Sequence, residues 1–131
     1  MELYNCGGWA IVSAYVSVRG WIECDEKQLD EVRKVAAACD DSYGGGWAIA
    51  ENQFNWIRYA FYGGSVPEGV VESLLMKIRA IAQIPPSDAD QDLIVGIFFV
   101  SHEIDGMTEW RVRDGRVDIS DADTKYQYLD V

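Results

Sequence analysis

Basic residues are scarce in this chain. Its 131 residues hold 11 Lys and Arg against 22 Asp and Glu, a formal net charge of −11. So negative a domain repels phosphate backbones and anionic lipid surfaces as well as itself. Nucleic acid and membranes are therefore not the expected partners, and a basic protein is. Cysteine is sparse and odd in number, at Cys6, Cys24 and Cys39, with no C-x-x-C spacing. That pattern is neither a disulfide framework nor a zinc site. Cys24 and Cys39 flank a predicted helix of about 14 residues whose ends lie ~20 Å apart, too far for a bridge. No apolar run reaches the ~18 residues of a membrane span; the longest, Leu93 to Val100, has strand length. The first residues, Met1 to Asn5, carry neither a basic region nor a secretory apolar core, so a cytoplasmic protein is expected.

What the chain does have is large packing units: five Trp, seven Tyr and four Phe. A disordered acidic tail would lack them. The length suits one domain over residues 1–131. From Trp9 to Glu23, even positions (Ala10, Val12, Ala14, Val16, Val18, Ile22) are apolar and odd ones include Ser13, Ser17, Arg19 and Glu23. This alternation predicts a long strand with one face on a core, and Gly20 is a candidate bend or bulge. Asp25 with Gln28 reads as a capping box opening a helix whose buried stripe is Leu29, Val32, Ala36 and Cys39.

Two strands follow, Trp47 to Ala50 and Phe54 to Tyr62, joined as a hairpin and closed by Gly63-Gly64. Ser65 and Glu68 form a second capping box, with Pro67 in the first helical turn. Val70, Val71, Leu74, Leu75, Ile78, Ile81 and Ala82 make the apolar face of that helix, and Pro85-Pro86 stops it. Asp92 to Val100 is apolar on both faces and predicts a central strand. Asp105-Gly106 and Asp114-Gly115 each signal a hairpin, giving strands Met107 to Arg113 and Arg116 to Ile119 and then an acidic surface tail. The whole predicts an α+β fold of ferredoxin-like split βαβ type: a mainly antiparallel sheet, two helices on one face and a C-terminal β-hairpin extension. Tyr15, Trp21 and strand-three aromatics would occupy the other face.

No catalytic or cofactor constellation emerges. Asp88, Asp90 and Asp92 alternate as in a calcium loop, but the required Gly and Glu positions hold Leu93 and Phe99. His102, the only histidine, has no metal-ligand spacing around it and reads as a strand-end residue with a structural hydrogen bond. Cys6 lies in an acidic neighbourhood, which disfavours a thiolate. Gly44 to Gly46 and Gly63-Gly64 lack the lysine of a phosphate loop and read as turns. No enzyme, no cofactor and no metal is expected.

In size, acidity, compactness and want of a catalytic constellation the chain resembles small acidic bacterial immunity proteins, which neutralise a cognate toxin. The likeness is one of general character and transfers no residue roles. It implies a binding protein that occludes a site on a basic partner, with carboxylates steering and pairing and an aromatic anchor excluding water. The expected rim is the pair of Asp-rich loops, with Asp88, Asp90 and Asp92 in one and Asp114, Asp118, Asp121 and Asp123 in the other. Trp47 and Trp56 are the expected anchors. The alternative is a ferredoxin-like small-molecule or regulatory module, monomeric or dimeric through its open sheet face, an expectation resting on fold analogy.

Overall fold

Alternating polarity folds Tyr15–Cys24 into β1, a ten-residue strand. Val16, Val18, Ile22 and Cys24 are buried on one face; Tyr15, Ser17, Arg19, Trp21 and Glu23 take the other. The computed structural model describes residues 14–38, 46–50, 56–87 and 89–130. The start of the predicted first strand, before Ala14, and Cys6, Cys39 and Asp88 lie outside these.

After β1 come α1 (Glu26–Ala36), β2 (Trp47–Ile49), β3 (Arg58–Pro67), α2 (Glu68–Ala82), β4 (Val95–His102), β5 (Gly106–Arg113), β6 (Arg116–Asp121) and a 3-10 helix, Thr124–Leu129. The six strands form one sheet in the order β2-β3-β1-β4-β5-β6, every neighbouring pair antiparallel. Leu29 and Val32 of α1 and Leu74, Ile78 and Ile81 of α2 share one core with Val16, Val18, Ile22, Ala60, Val66, Phe98 and Val112 of the sheet. Full burial of side chains such as Ile22, Ile78 and Phe98 stabilises the fold by about 1.5–3 kcal/mol each. The opposite face is partly covered: the 3-10 helix lies over Phe99, Met107 and Ala122, with Tyr126 4.8 Å from the Phe99 ring.

Helix α1 opens as its sequence dictates. The Asp25 carboxylate accepts from the Gln28 N–H at 2.7 Å, and the Gln28 side chain accepts from the Asp25 N–H at 3.0 Å. Gln28 is itself buried and donates to the Asp92 carbonyl at 3.1 Å, tying the loop before β4 to the helix start. Ser87 donates a short hydrogen bond to the other Asp25 oxygen. Burial pushes the Asp25 carboxyl up, but the bonds from Ser87, Gln28 and Lys27 outweigh it and hold the group below 3.8. A depressed folded value means stability that is present above the unfolded value and lost as pH falls through the folded one. Asp25→Ala is therefore expected to cost about 1–2 kcal/mol at neutral pH. In urea titrations the gap between the two proteins should narrow below pH 3.8; a gap unchanged by acid would refute the role of the charge.

Strand β3 departs from its sequence reading. It does not close at Gly63-Gly64 but runs on to Pro67, and Ser65 caps nothing; α2 starts after Pro67 with no side-chain cap. The reason is tertiary. The length of β1 offers a ladder partner to every residue: Gly63 to Arg19, Gly64 to Val18, Ser65 to Ser17, Val66 to Val16 and Pro67 to Tyr15. Ten residues of pairing outweigh one cap worth about 1 kcal/mol. Gly20 forms no bulge, since it sits in continuous register with both Tyr62 and Phe98. At the β5–β6 hairpin, Asp114 (φ 53) and Gly115 (φ 74) adopt the left-handed conformations that a two-residue turn requires.

Candidate functional site

Register places three serines in a row on the sheet face away from the helices. Ser17 of β1 faces Ser65 of β3 on one side and Ser101 of β4 on the other. Ser17 and Ser65 hydroxyls lie 3.4 Å apart, and Arg19 of β1 reaches over to β4 to donate to Ser101 at 3.5 Å. The row floors a cavity of about 630 Å³ whose walls include Tyr15, His102, Glu103, Ile104 and Asp130. Glu103 is anchored at its rim by accepting from the Tyr15 N–H at 3.4 Å.

The strand ends around this cavity are acidic. Tyr15 opposes Pro67, Val16 opposes His102, His102 opposes Gly106, and Thr108 opposes Asp121. That end therefore gathers Glu68, Glu103, Asp105, Asp121, Asp123 and Asp130, all exposed, beside Lys125. The carboxylates expected as one rim are divided between the two ends. Asp121 and Asp123 stand at the cavity end, where Asp123 caps the 3-10 helix by accepting from the Lys125 N–H at 3.0 Å. Asp90, Asp92 and Asp114 are exposed at the far end, and Asp114 pairs with Arg116 at 3.9 Å. Asp118 accepts from Arg116 at 2.8 Å and from Arg113 at 3.1 Å. Those two bonds, Arg116 first, lower its carboxyl. At the far end Asp114 and Asp118 are thus paired with arginines within the molecule; among the described residues, none of the six carboxylates at the cavity end is in an ion pair with Lys or Arg.

Trp47 is half-buried against the core, edge-on to Tyr62 at 5.3 Å and to Phe98 at 6.2 Å. Trp56 is 76% exposed, just before β3. Exposed aromatics cluster instead on the open face, where Trp21 pairs in register with Phe61 and Tyr59 stacks on Phe61 at 6.1 Å.

His102 makes the structural contact expected of it. Its Nδ1 accepts from the Ile104 and Asp105 N–H groups at 3.0 and 3.2 Å, closing the β4–β5 turn. Its buried Nε2 lies 3.4 Å from Glu68 Oε1 and has no hydrogen-bond partner among the described residues. Burial, followed by the Asp25 charge, pushes the Cys24 thiol up to about 12, so it is not a nucleophile at neutral pH. Among the described residues no group of three or more His, Cys, Asp and Glu side chains is placed to hold a metal ion, and no helix is long and apolar enough to cross a membrane.

Sequence reasoning missed the serine row. Ser65 carried a helix-cap signal, and Ser17 and Ser101 were polar positions whose pairing depends on a register that no local pattern encodes. Comparison with known protein families, curated proteins and solved structures finds no match to this chain.

Proposed function

We propose that this chain is a small acidic binding protein that neutralises a basic protein partner, an immunity-type inhibitor acting by occlusion of a toxin's site. We read its architecture as ferredoxin-like, because β1-α1-β2-β3-α2-β4 with the order β2-β3-β1-β4 is what a split βαβ produces, with β5 and β6 appended. The observation that carries the functional reading is the uneven charge. Six exposed carboxylates crowd the end where β4 and β6 finish, with Lys125 as their neighbouring cation, while at the opposite end Arg113 and Arg116 pair with Asp114 and Asp118. A potential of one sign focused on one end steers a basic partner into a defined orientation and speeds its association.

The test uses the full chain, immobilised in extract of its native host at low and high salt. A basic protein should be captured at low salt and released as salt rises. The triple variant Asp105→Asn, Asp121→Asn, Asp130→Asn should slow association by about tenfold. Asp90→Asn, Asp92→Asn, Asp114→Asn should leave it unchanged. Capture of no basic protein, or equal effects of the two triples, would remove the basis of this reading.

A further inference from the structure

We infer that the cavity over the Ser17–Ser65–Ser101 row is the seat of a lysine or arginine side chain from the basic partner. This rests on the partner reading proposed above and adds to it which residue class docks, and where.

The charged groups that line the cavity are of one sign. Glu103 and Asp130 bring carboxylates to it, and no Lys or Arg is among its described lining residues. Neither carboxylate is in an ion pair with a described Lys or Arg. Arg19 lies outside the lining: it touches the floor at Ser101, 3.5 Å away, and its Nε is buried. Glu103 stands further along the sheet, where it accepts from the Tyr15 N–H. Two carboxylates against that one guanidinium leave a single negative charge, which one added cation closes. An anion would instead meet the field of a chain with net charge −11.

The walls also carry apolar surface, and this separates a side chain from a bare ion. Tyr15 is 48% exposed and Ile104 is 80% exposed, and both line the cavity. Ile104 stands between Glu103 and Asp105 at the β4–β5 turn. Lysine and arginine lay their methylene stems along apolar surface while the charged head stays with polar groups. Here the stem would lie on Ile104, and the head would reach Glu103 and Asp130 beside the Tyr15 ring, an added cation–π partner. The Ser17 and Ser65 hydroxyls supply neutral acceptors for its remaining N–H groups. A volume of about 630 Å³ admits the whole side chain, stem included.

Titration of the full chain with Nα-acetyl-lysine amide and Nα-acetyl-arginine amide tests this, read from the backbone amide shifts of Tyr15, Ser17, Ser65 and Glu103. Nα-acetylnorleucine amide supplies a stem without charge, and methylammonium a charge without a stem. At least one of the two cations should bind with a Kd of about 1 mM or tighter, and each partial probe at least about tenfold more weakly. Glu103→Gln keeps an acceptor for the Tyr15 N–H and removes the charge, so it should weaken the cation about tenfold. Asp114→Asn, at the far end, should leave it unchanged. Ile104→Ser, at an exposed position, should bring the cation toward the affinity of methylammonium. No shift at these amides with either cation at about 50 mM, well above a millimolar Kd, overturns the proposal. So does either partial probe binding as tightly as the cations, or an unchanged affinity in Glu103→Gln. These outcomes are separable from the partner reading. A basic protein captured from host extract and slowed by the acidic triple variant, with no probe in the cavity, would keep the steering and remove the seat.

Discussion

Replacing Gly20 with alanine is expected to cost about 4 kcal/mol or more, the range reserved for backbone collisions and large cavities. The reason is the closeness of β1 and β4. A Cβ at Gly20 would overlap the Ile97 carbonyl oxygen and stand 2.6 Å from Phe98 Cα and 2.8 Å from Phe98 Cδ1. Two of those atoms are backbone and cannot rotate away, so the strands would have to part. The Phe98 ring is fully buried, and Trp47 packs edge-on against it. Parting the strands therefore disturbs the centre of the core along with the ladder. Gly96 is the diagonal counterpart, because its Cβ would overlap the Trp21 carbonyl oxygen and lie 2.8 Å from Ile22 Cα. Gly96→Ala should act alike. Gly63→Ala is the control, since nothing lies within 4 Å of its added Cβ, and its effect should stay within about 0.5 kcal/mol. Urea midpoints compare the three. If Gly20→Ala unfolds at the same midpoint as Gly63→Ala, the close approach is not a constraint on the fold.

These glycines mark where the sequence stopped being readable. Local signals worked wherever the deciding interaction was local. Asp25 and Gln28 cap each other across three residues, and Asp114-Gly115 makes its turn with its own backbone angles. The apolar stripe of α2 came through for the same reason, because one helical period repeats within one element. Signals failed where a distant strand decided. Ser65, Pro67 and Glu68 spell a helix start, yet β1 claims Ser65 and Pro67 for the sheet. Gly20 read as a candidate bulge, whereas its use is to let β4 approach. The acidic rim failed as a unit for a geometric reason. Asp114 and Asp121 are neighbours on paper, but a strand advances about 3.3 Å per residue, so β6 carries them to opposite ends of the sheet. The same geometry brought Glu103 and Asp130, distant in sequence, around one cavity.

A second large effect is expected at Glu109. This carboxylate is 1% exposed, on the sheet face that the C-terminal 3-10 helix covers. One oxygen accepts from the Asp123 N–H at 2.9 Å; the other accepts from Arg111 Nε and Nη2, each at 3.0 Å. Glu109 therefore ties β5 to the segment that follows β6 and lies over Phe99 and Met107. Deleting one partner of a buried ion pair costs about 3–5 kcal/mol. Arg111 is half-exposed and regains water, so Glu109→Ala should fall at the lower end, about 3 kcal/mol. Glu109→Gln keeps the shape but turns an amide donor toward either the Asp123 N–H or the Arg111 guanidinium, and should cost about 1–2 kcal/mol. The two variants separate packing from charge: equal losses would mean that the carboxylate matters more than the volume it fills. Hydrogen exchange at the Asp123 amide gives the local readout. Its protection should collapse in Glu109→Ala before the core unfolds, because the C-terminal segment loses its latch while Phe99 and Met107 keep only a partial cover. Protection that falls only with global unfolding would show that the segment is held by the Tyr126–Phe99 contact and that Glu109 is not its anchor.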